Sequence, residues 1–495
     1  MNPFETYTGS DRLGSPAFIL LVLISVVFSA WMIGHIGLVA GLMLIGLPFG
    51  LFFLTWFLKY PILGLYSTVI LGFIILGSVR YIKGVQVGMA MDGILFLTYI
   101  VLIFNKFKER INWTPAKKDI TLLAFIWFAY SIVQVANPEM KSFQAWLAGM
   151  RGISLYMILL IPLVLLFINT KKKIRMILLL WGTMSILATL KGIMQLTIGV
   201  DPFEKAWLEG GGAITHVIFG KLRIFSFMSD AGQFGANQAY SGVVFLILFF
   251  FEKQRKLKLF YLLVALLGFY GMFISGTRGA ISIPLAGFMI YFILRKNKVV
   301  MFSGVVMLAL VFVFFKYTLI GQDNQQIRRM RSAFDPNDAS LQVRLENQKK
   351  LRAYLASRPL GGSIGHAGVK AQRYLPNAYL SNVATDSWYV LIWAEQGIIG
   401  LVLHLFILFY VIIRSSYRIM YRIRDPDLKV TLSALTAGMF GIMVASYGNA
   451  VLGTMPTGIL IYISMALMMN GISLDNQFTR DPASPTETGI ENRNH

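Results

Sequence analysis

Long apolar runs, each closed by a short polar or charged break, recur along almost the entire chain. They lie near 17–34, 36–58, 61–79, 88–104, 119–136, 152–169 and 174–198, then near 236–251, 259–275, 280–294, 299–315, 387–413, 430–450 and 457–473. A helix crossing a bilayer needs ~20 predominantly apolar residues, with a range of ~17–25. The runs have about that length. They lack the period-two alternation of membrane β-strands and are about twice as long. The pattern predicts an all-α polytopic membrane protein with about 12–14 transmembrane helices; only Gly34-His35-Ile36-Gly37 divides the first two runs, which sets the spread. The run from Ala17 is too long for the apolar core of a signal peptide and reads as a retained first span.

The breaks between runs give the orientation. Lys106, Lys108, Arg110, Lys117 and Lys118 form one basic loop, and Lys171, Lys172, Lys173 and Arg175 a second. Lys253, Arg255, Lys256 and Lys258 form a third, Arg295, Lys296 and Lys298 a fourth, and Arg414, Arg418, Arg422, Arg424 and Lys429 a fifth. Basic residues concentrate in cytoplasmic loops, and these five fall on alternate connections, so they and both termini are expected inside. The expected organisation is a cytoplasmic N-terminus (1–16), about eleven transmembrane helices with short loops (17–315) and a large extracytoplasmic, periplasmic loop domain (316–386). The last three transmembrane helices (387–473) and a disordered cytoplasmic tail (474–495) complete it.

Composition narrows the class. Hydrophobic side chains make up 56% and charged ones 14%, against about 45–50% and about 25% in soluble domains. That excludes a disordered chain, a coiled coil or a set of water-exposed domains. The formal net charge of +22 comes from 45 Lys and Arg against 23 Asp and Glu. Cysteine is absent, which excludes disulfides, thiolate metal sites and a cysteine nucleophile.

The 316–386 loop holds eleven basic residues against Asp323, Asp335, Asp338, Glu346 and Asp386. Such a basic surface beside lipid points to an anionic partner. Asp323–Phe334 reads as a short helix broken by Asp335-Pro336-Asn337-Asp338. Ser340 is the expected N-cap of a second helix reaching about Ser357. Leu341, Leu345, Leu351 and Leu355 stripe this helix, Arg344, Lys349, Lys350 and Arg352 charge it, and Pro359 with Gly361-Gly362 stops it.

A few polar residues stand where chemistry is possible. Arg278, in Ser275-Gly276-Thr277-Arg278-Gly279, reads either as a snorkelling anchor or as an anion contact at the start of the next helix. Arg223 enters the span that begins near Asp230-Ala231-Gly232-Gln233-Phe234-Gly235, where a solvated re-entry loop is the alternative to a functional cation. Lys191 and Glu395 lie inside spans; for Lys191 an internal ion pair is the preferred reading. Asp386, before Ser387-Trp388-Tyr389, is either a helix cap or a general base for a hydroxyl substrate. His366 lies in the glycine-rich stretch Gly361-Gly362-Ser363-Ile364-Gly365-His366-Ala367-Gly368, where simple exposure is commoner than catalysis. No Walker motif and no metal-ligand spacing occur, and the basic loops lack the interleaved aromatics of a nucleic-acid platform.

These stretches together resemble the O-antigen ligase/O-antigen polymerase superfamily of bacterial envelope polysaccharide enzymes. The resemblance rests on Arg223 to Gly235, on Ser275-Gly276-Thr277-Arg278-Gly279, and on Arg344 opening a helix that ends in Arg358-Pro359-Leu360-Gly361. It also rests on Asp386-Ser387-Trp388-Tyr389 followed by Glu395-Gln396-Gly397-Ile398-Ile399-Gly400. The resemblance implies an enzyme of the bacterial inner membrane acting on its periplasmic side, without nucleotide, metal or other cofactor. Its donor would be a saccharide linked to undecaprenyl diphosphate and its acceptor a hydroxyl of another glycan or lipid-linked chain, with inversion at the anomeric carbon. It assigns diphosphate contacts to Arg278, Arg344 and Arg223, and the base to Asp386 or His366. Ligases of the superfamily usually carry a histidine where Asp386 stands, which leaves polymerase and ligase both open. The rival from another class is a flippase or polysaccharide transporter, which predicts an internal repeat and polar groups along a central path. A scaffold in an envelope-assembly complex would tolerate loss of every one of these arginines.

Overall fold

From the second apolar run onward, every run coincides with a helix. The computed structural model describes residues 38–82, 87–105, 111–218, 220–335 and 337–480; the run at 17–34 lies outside them. The helices are α1 (Leu38–Lys59), α2 (Ile62–Ile74), α3 (Met89–Asn105), α4 (Asp119–Val133), α5 (Phe143–Met150), α6 (Tyr156–Phe167) and α7 (Lys171–Thr197). Two short helices, α8 (Pro202–Trp207) and α9 (Ala213–His216), precede a two-stranded hairpin, β1 (Val217–Ile218) and β2 (Lys221–Leu222). Then come α10 (Ala231–Phe251), α11 (Arg255–Ile274), α12 (Ser282–Leu294), α13 (Lys298–Tyr317), α14 (Gln325–Arg331) and α15 (Ala339–Leu355). The chain finishes with α16 (Trp388–Tyr421), α17 (Pro426–Ala445) and α18 (Thr457–Arg480). Among the described residues nine helical segments are long and apolar enough to cross a membrane, and four more are apolar but shorter. The protein is an all-α polytopic membrane protein.

The chain divides into two units, 1–63 with 99–109 and 64–98 with 110–495. The second unit carries all the polar motifs and is organised around α10, whose buried polar side chains are tied to its neighbours. Trp181 Nε1 of α7 donates to Ser241 Oγ at 2.8 Å, and Ser185 Oγ donates to Gln238 Oε1 at 2.7 Å. Tyr240 Oη lies 2.7 Å from Ser464 Oγ, and Thr457 Oγ1 donates to Gln233 Oε1 at 2.8 Å, both on α18. In an apolar slab such bonds between helices take the place of a hydrophobic driving force, and small residues let backbones approach. At Gly268 of α11 an added methyl would lie 2.8 Å from the Gln238 carbonyl oxygen, so α10 and α11 touch backbone to backbone.

Caps fix the helix starts. Asp230 opens α10 by accepting from Gln233 N at 2.9 Å, and Asp425 opens α17 by accepting from Leu428 N at 2.8 Å. Two expected boundaries shift. The helix with the charged stripe starts at Ala339, because Asp338 rather than Ser340 is the cap, accepting from Leu341 N at 3.1 Å. The last helix runs to Arg480 instead of giving way to a tail at 474. Leu474 is fully buried, and Asp475 accepts from the backbone N–H groups of Arg424 and Asp425 at 3.0 and 2.8 Å, so this stretch packs on the α16–α17 connection. Residues 481–495 of the expected tail lie outside the described residues.

The glycine-rich stretch after α15 is a buried clasp. Asn137 Nδ2 donates to the carbonyl oxygens of Leu360 and Gly361 at 3.1 and 3.2 Å, and Ser363 Oγ donates to Gln134 O at 3.1 Å. The clasp fits into a break in α16 at Gly397, where φ is 67° and ψ −168°. That conformation is open almost only to glycine, and a Cβ there would overlap the Pro359 carbonyl. Gly397→Ala is therefore expected to destabilise the protein by at least about 1–3 kcal/mol, seen as a lowered melting temperature in detergent. An unchanged melting temperature contradicts the clasp.

Candidate functional site

The turn between α11 and α12 is built to admit neighbours. Ser275 Oγ donates to Met272 O at 2.7 Å and accepts from Thr277 N at 3.1 Å, which folds the chain tightly at Gly276 (φ 58°). Over Gly276 lies α14: a Cβ there would stand 2.7 Å from Gln326 Oε1 and 3.5 Å from Arg329 Cδ. Thr277 Oγ1 donates to Ala231 O at 2.8 Å and receives Arg223 Nη2 at 3.2 Å. The β1–β2 hairpin presents Arg223, whose N–H donates to His216 O at 2.7 Å and whose Nη1 donates to Thr215 O at 3.1 Å. Its Nε is buried without a hydrogen-bond partner.

Arg278 reaches the loop between α13 and α16. Its Nη1 donates to Ser332 Oγ at 2.9 Å and forms an ion pair with Asp338. Asp338 thus both caps α15 and holds the arginine. Six residues further along α15, ~9 Å at 1.5 Å per residue, Arg344 Nε faces Asp386 Oδ2 at 3.5 Å. The turn between α17 and α18 lies against both arginine groups: a Cβ at Gly279 would collide with Asn449 Nδ2, and one at Gly448 would lie 3.8 Å from Arg344 Nη1. Ser387, not Asp386, caps α16 by accepting from Val390 N. The Asp386 carboxylate is therefore free of that duty, and 49% of its side chain is exposed.

The arginines strain against one another. Burial lowers the pKa of Arg223, and Arg278 adds to the lowering while Asp230 opposes it. Burial pulls Arg329 down to about 10, with the charges of Arg223 and Arg278 acting in the same direction and Asp338 against. Burial is the main cause in both, with the neighbouring arginines adding to it, and an anion arriving among them would offset both.

Arg223 and Arg278 are thus brought together, and Arg344 and Asp386 pair nearby. His366 is not part of this group. It is 3% exposed; its Nε2 accepts from the N–H groups of Lys141 and Ser142 at 2.9 and 3.2 Å, while Nδ1 lies 2.8 Å from Ile364 O. With both ring nitrogens engaged, the ring pins the clasp to the start of α5 and is not placed to take a substrate proton. Neither is it exposed. Glu395 also serves the clasp, accepting from Ala367 N at 3.4 Å. Lys191 makes the expected internal pair, with Asp201 at 3.0 Å and Glu204 at 3.2 Å, and so ties α7 to the connection after it.

Sequence reasoning passes over Arg329, because it stands in a run with Arg328 and Arg331 that reads as a solvated basic face. The signal is indirect: a glycine directly before Thr277-Arg278 leaves room for a helix to lie on the turn. The assembled group offers several guanidinium donors and one exposed carboxylate. Such a set can hold a multiply charged oxyanion and take a proton beside it.

Residues 262–405 match the family model described as O-antigen ligase. The match supports the O-antigen ligase/polymerase superfamily. It covers Arg278, Arg329, Arg344 and Asp386, while Arg223 precedes it. No curated protein matches the chain.

His366 makes a pH-dependent contribution to stability. Burial lowers its pKa from 6.5, so the unfolded chain binds this proton more readily, and stability falls as the pH drops below about 6.5. His366→Gln is expected to make the fall in melting temperature between about pH 7 and about pH 5 shallower. An unchanged slope contradicts the buried, neutral ring.

Proposed function

We propose, from the O-antigen ligase segment at 262–405, that the protein moves a saccharide from undecaprenyl diphosphate to a glycan hydroxyl at the outer face of the inner membrane. The observation that carries this reading is the joining of Arg278 to the helix of Arg344 through Asp338, with Asp386 exposed beside Arg344. The donor's diphosphate would lie against Arg223, Arg278 and Arg344. As the acceptor oxygen forms its bond to the anomeric carbon, the bond from that carbon to the diphosphate oxygen breaks. The leaving oxygen gains negative charge, which the guanidinium groups stabilise.

Asp386 takes the acceptor hydroxyl's proton. Its 3.5 Å approach to Arg344 is too long for a strong hydrogen bond, so Arg344 can turn to phosphate while still steering the carboxylate. Attack on the face opposite the leaving group inverts the anomeric centre. No step of this displacement calls for a nucleotide or a metal.

Arg278→Ala and Arg344→Ala are each expected to lower glycan product by ~10²–10³-fold, the usual cost of one preplaced donor, at equal protein level on a gel ladder. Asp386→Asn is expected to fall comparably. A wild-type ladder from both arginine variants defeats the mechanism. The absence of native cysteine allows a test of sidedness. A single cysteine at Lys349 should be labelled by an impermeant thiol reagent in intact cells, and one at Lys256 only after permeabilisation. The reverse pattern would put the site on the wrong side of the membrane.

A further inference from the structure

Arg329 has no structural task that accounts for its position. It lies on α14, a helix of seven residues that is firmly seated. Met330 is 1% exposed, and Arg331 Nη2 donates to Ile320 O at 2.6 Å and Thr318 Oγ1 at 3.1 Å. Arg329 lays its stem on Gly276, buries Nε without a partner and forms no ion pair among the described residues. A buried donor left unsatisfied is destabilising, and more so when it is charged.

The nearby carboxylates are engaged elsewhere. Asp338 is taken by Arg278 and by the cap of α15, and Asp230 by Gln233 N and Ser229 Oγ. Three guanidinium groups, of Arg223, Arg278 and Arg329, therefore surround the Gly276-Thr277-Arg278 turn with two carboxylates already in use. Arg223 also holds a buried Nε without a partner. A fold that keeps such an arrangement is poised for an outside anion with several acceptor oxygens, and a phosphoryl group matches the planar fork of arginine.

We infer that Arg329 is a direct ligand of the diphosphate, delivered onto the Gly276 turn by α14 to complete the cradle begun by Arg223 and Arg278. The identity of the anion rests on the proposed transferase function; the presence of an anion site rests on the geometry. Gly276 then has two roles: it supplies the left-handed turn and leaves room for Gln326, three residues before Arg329 on α14.

The test uses full-length protein in nanodiscs, melted with undecaprenyl diphosphate or with undecaprenol as the uncharged control. Wild type and Arg328→Met should gain melting temperature from the diphosphate and none from the alcohol. Arg329→Met should bind the diphosphate at least about tenfold more weakly, a change of about 1.4 kcal/mol. Without ligand it should melt at or above wild type, because one of three mutually repelling charges is gone. Arg329→Lys should recover part of the binding. Full diphosphate stabilisation of Arg329→Met overturns the inference. So does a lower unliganded melting temperature, which marks a structural role. A wild type indifferent to the diphosphate overturns the donor assignment itself, and with it the anion named here.

Discussion

Like charges drawn together at the edge of an apolar slab repel strongly, and everything at this site depends on how that repulsion is contained. Asp338 is the pivot. One oxygen closes the first turn of α15 and the other holds Arg278, so the helix bearing Arg344 is tied to the turn bearing Arg278. Removing the carboxylate would loosen the helix start and leave Arg278 facing Arg223 and Arg329 with less opposing charge. The remaining excess of positive charge is what a departing oxyanion would find already in place.

The clasp at 359–368 does different work. Gln134 and Asn137 donate to the Leu360 carbonyl, His366 accepts from the N–H of Lys141 and Glu395 from that of Ala367, and Gly397 breaks α16 to make room. This network fixes the C-terminal end of α15 while Asp338 fixes its start. Arg344 is thus carried on a helix held at both ends, and Asp386 follows the same loop into α16. Residues that look catalytic in a glycine-rich stretch turn out to position those that face solvent.

The spans were legible because each is a long apolar run without strand alternation, and in lipid only a helix or a closed barrel satisfies its backbone. Arg223, Arg278, Arg344 and Asp386 were legible as candidates because each stands in a short polar motif between spans. Three features were not. His366 sits among glycines that favour exposure, and only the N–H groups of Lys141 and Ser142, more than two hundred residues away in sequence, bury it. Arg329 was masked by neighbouring arginines, since which member of a basic run turns inward depends on the helix it rides. The start of α15 depended on a choice between Asp338 and Ser340, both competent caps, which the tertiary pull of Arg278 settles.

The most direct test is a reconstitution in liposomes of the purified protein with a native lipid-linked saccharide and its acceptor, without nucleotide or added metal. The account predicts that undecaprenyl diphosphate is released in step with elongated glycan. Intact lipid-linked saccharide crossing between leaflets, with its sugar–phosphate bond unbroken, would contradict it.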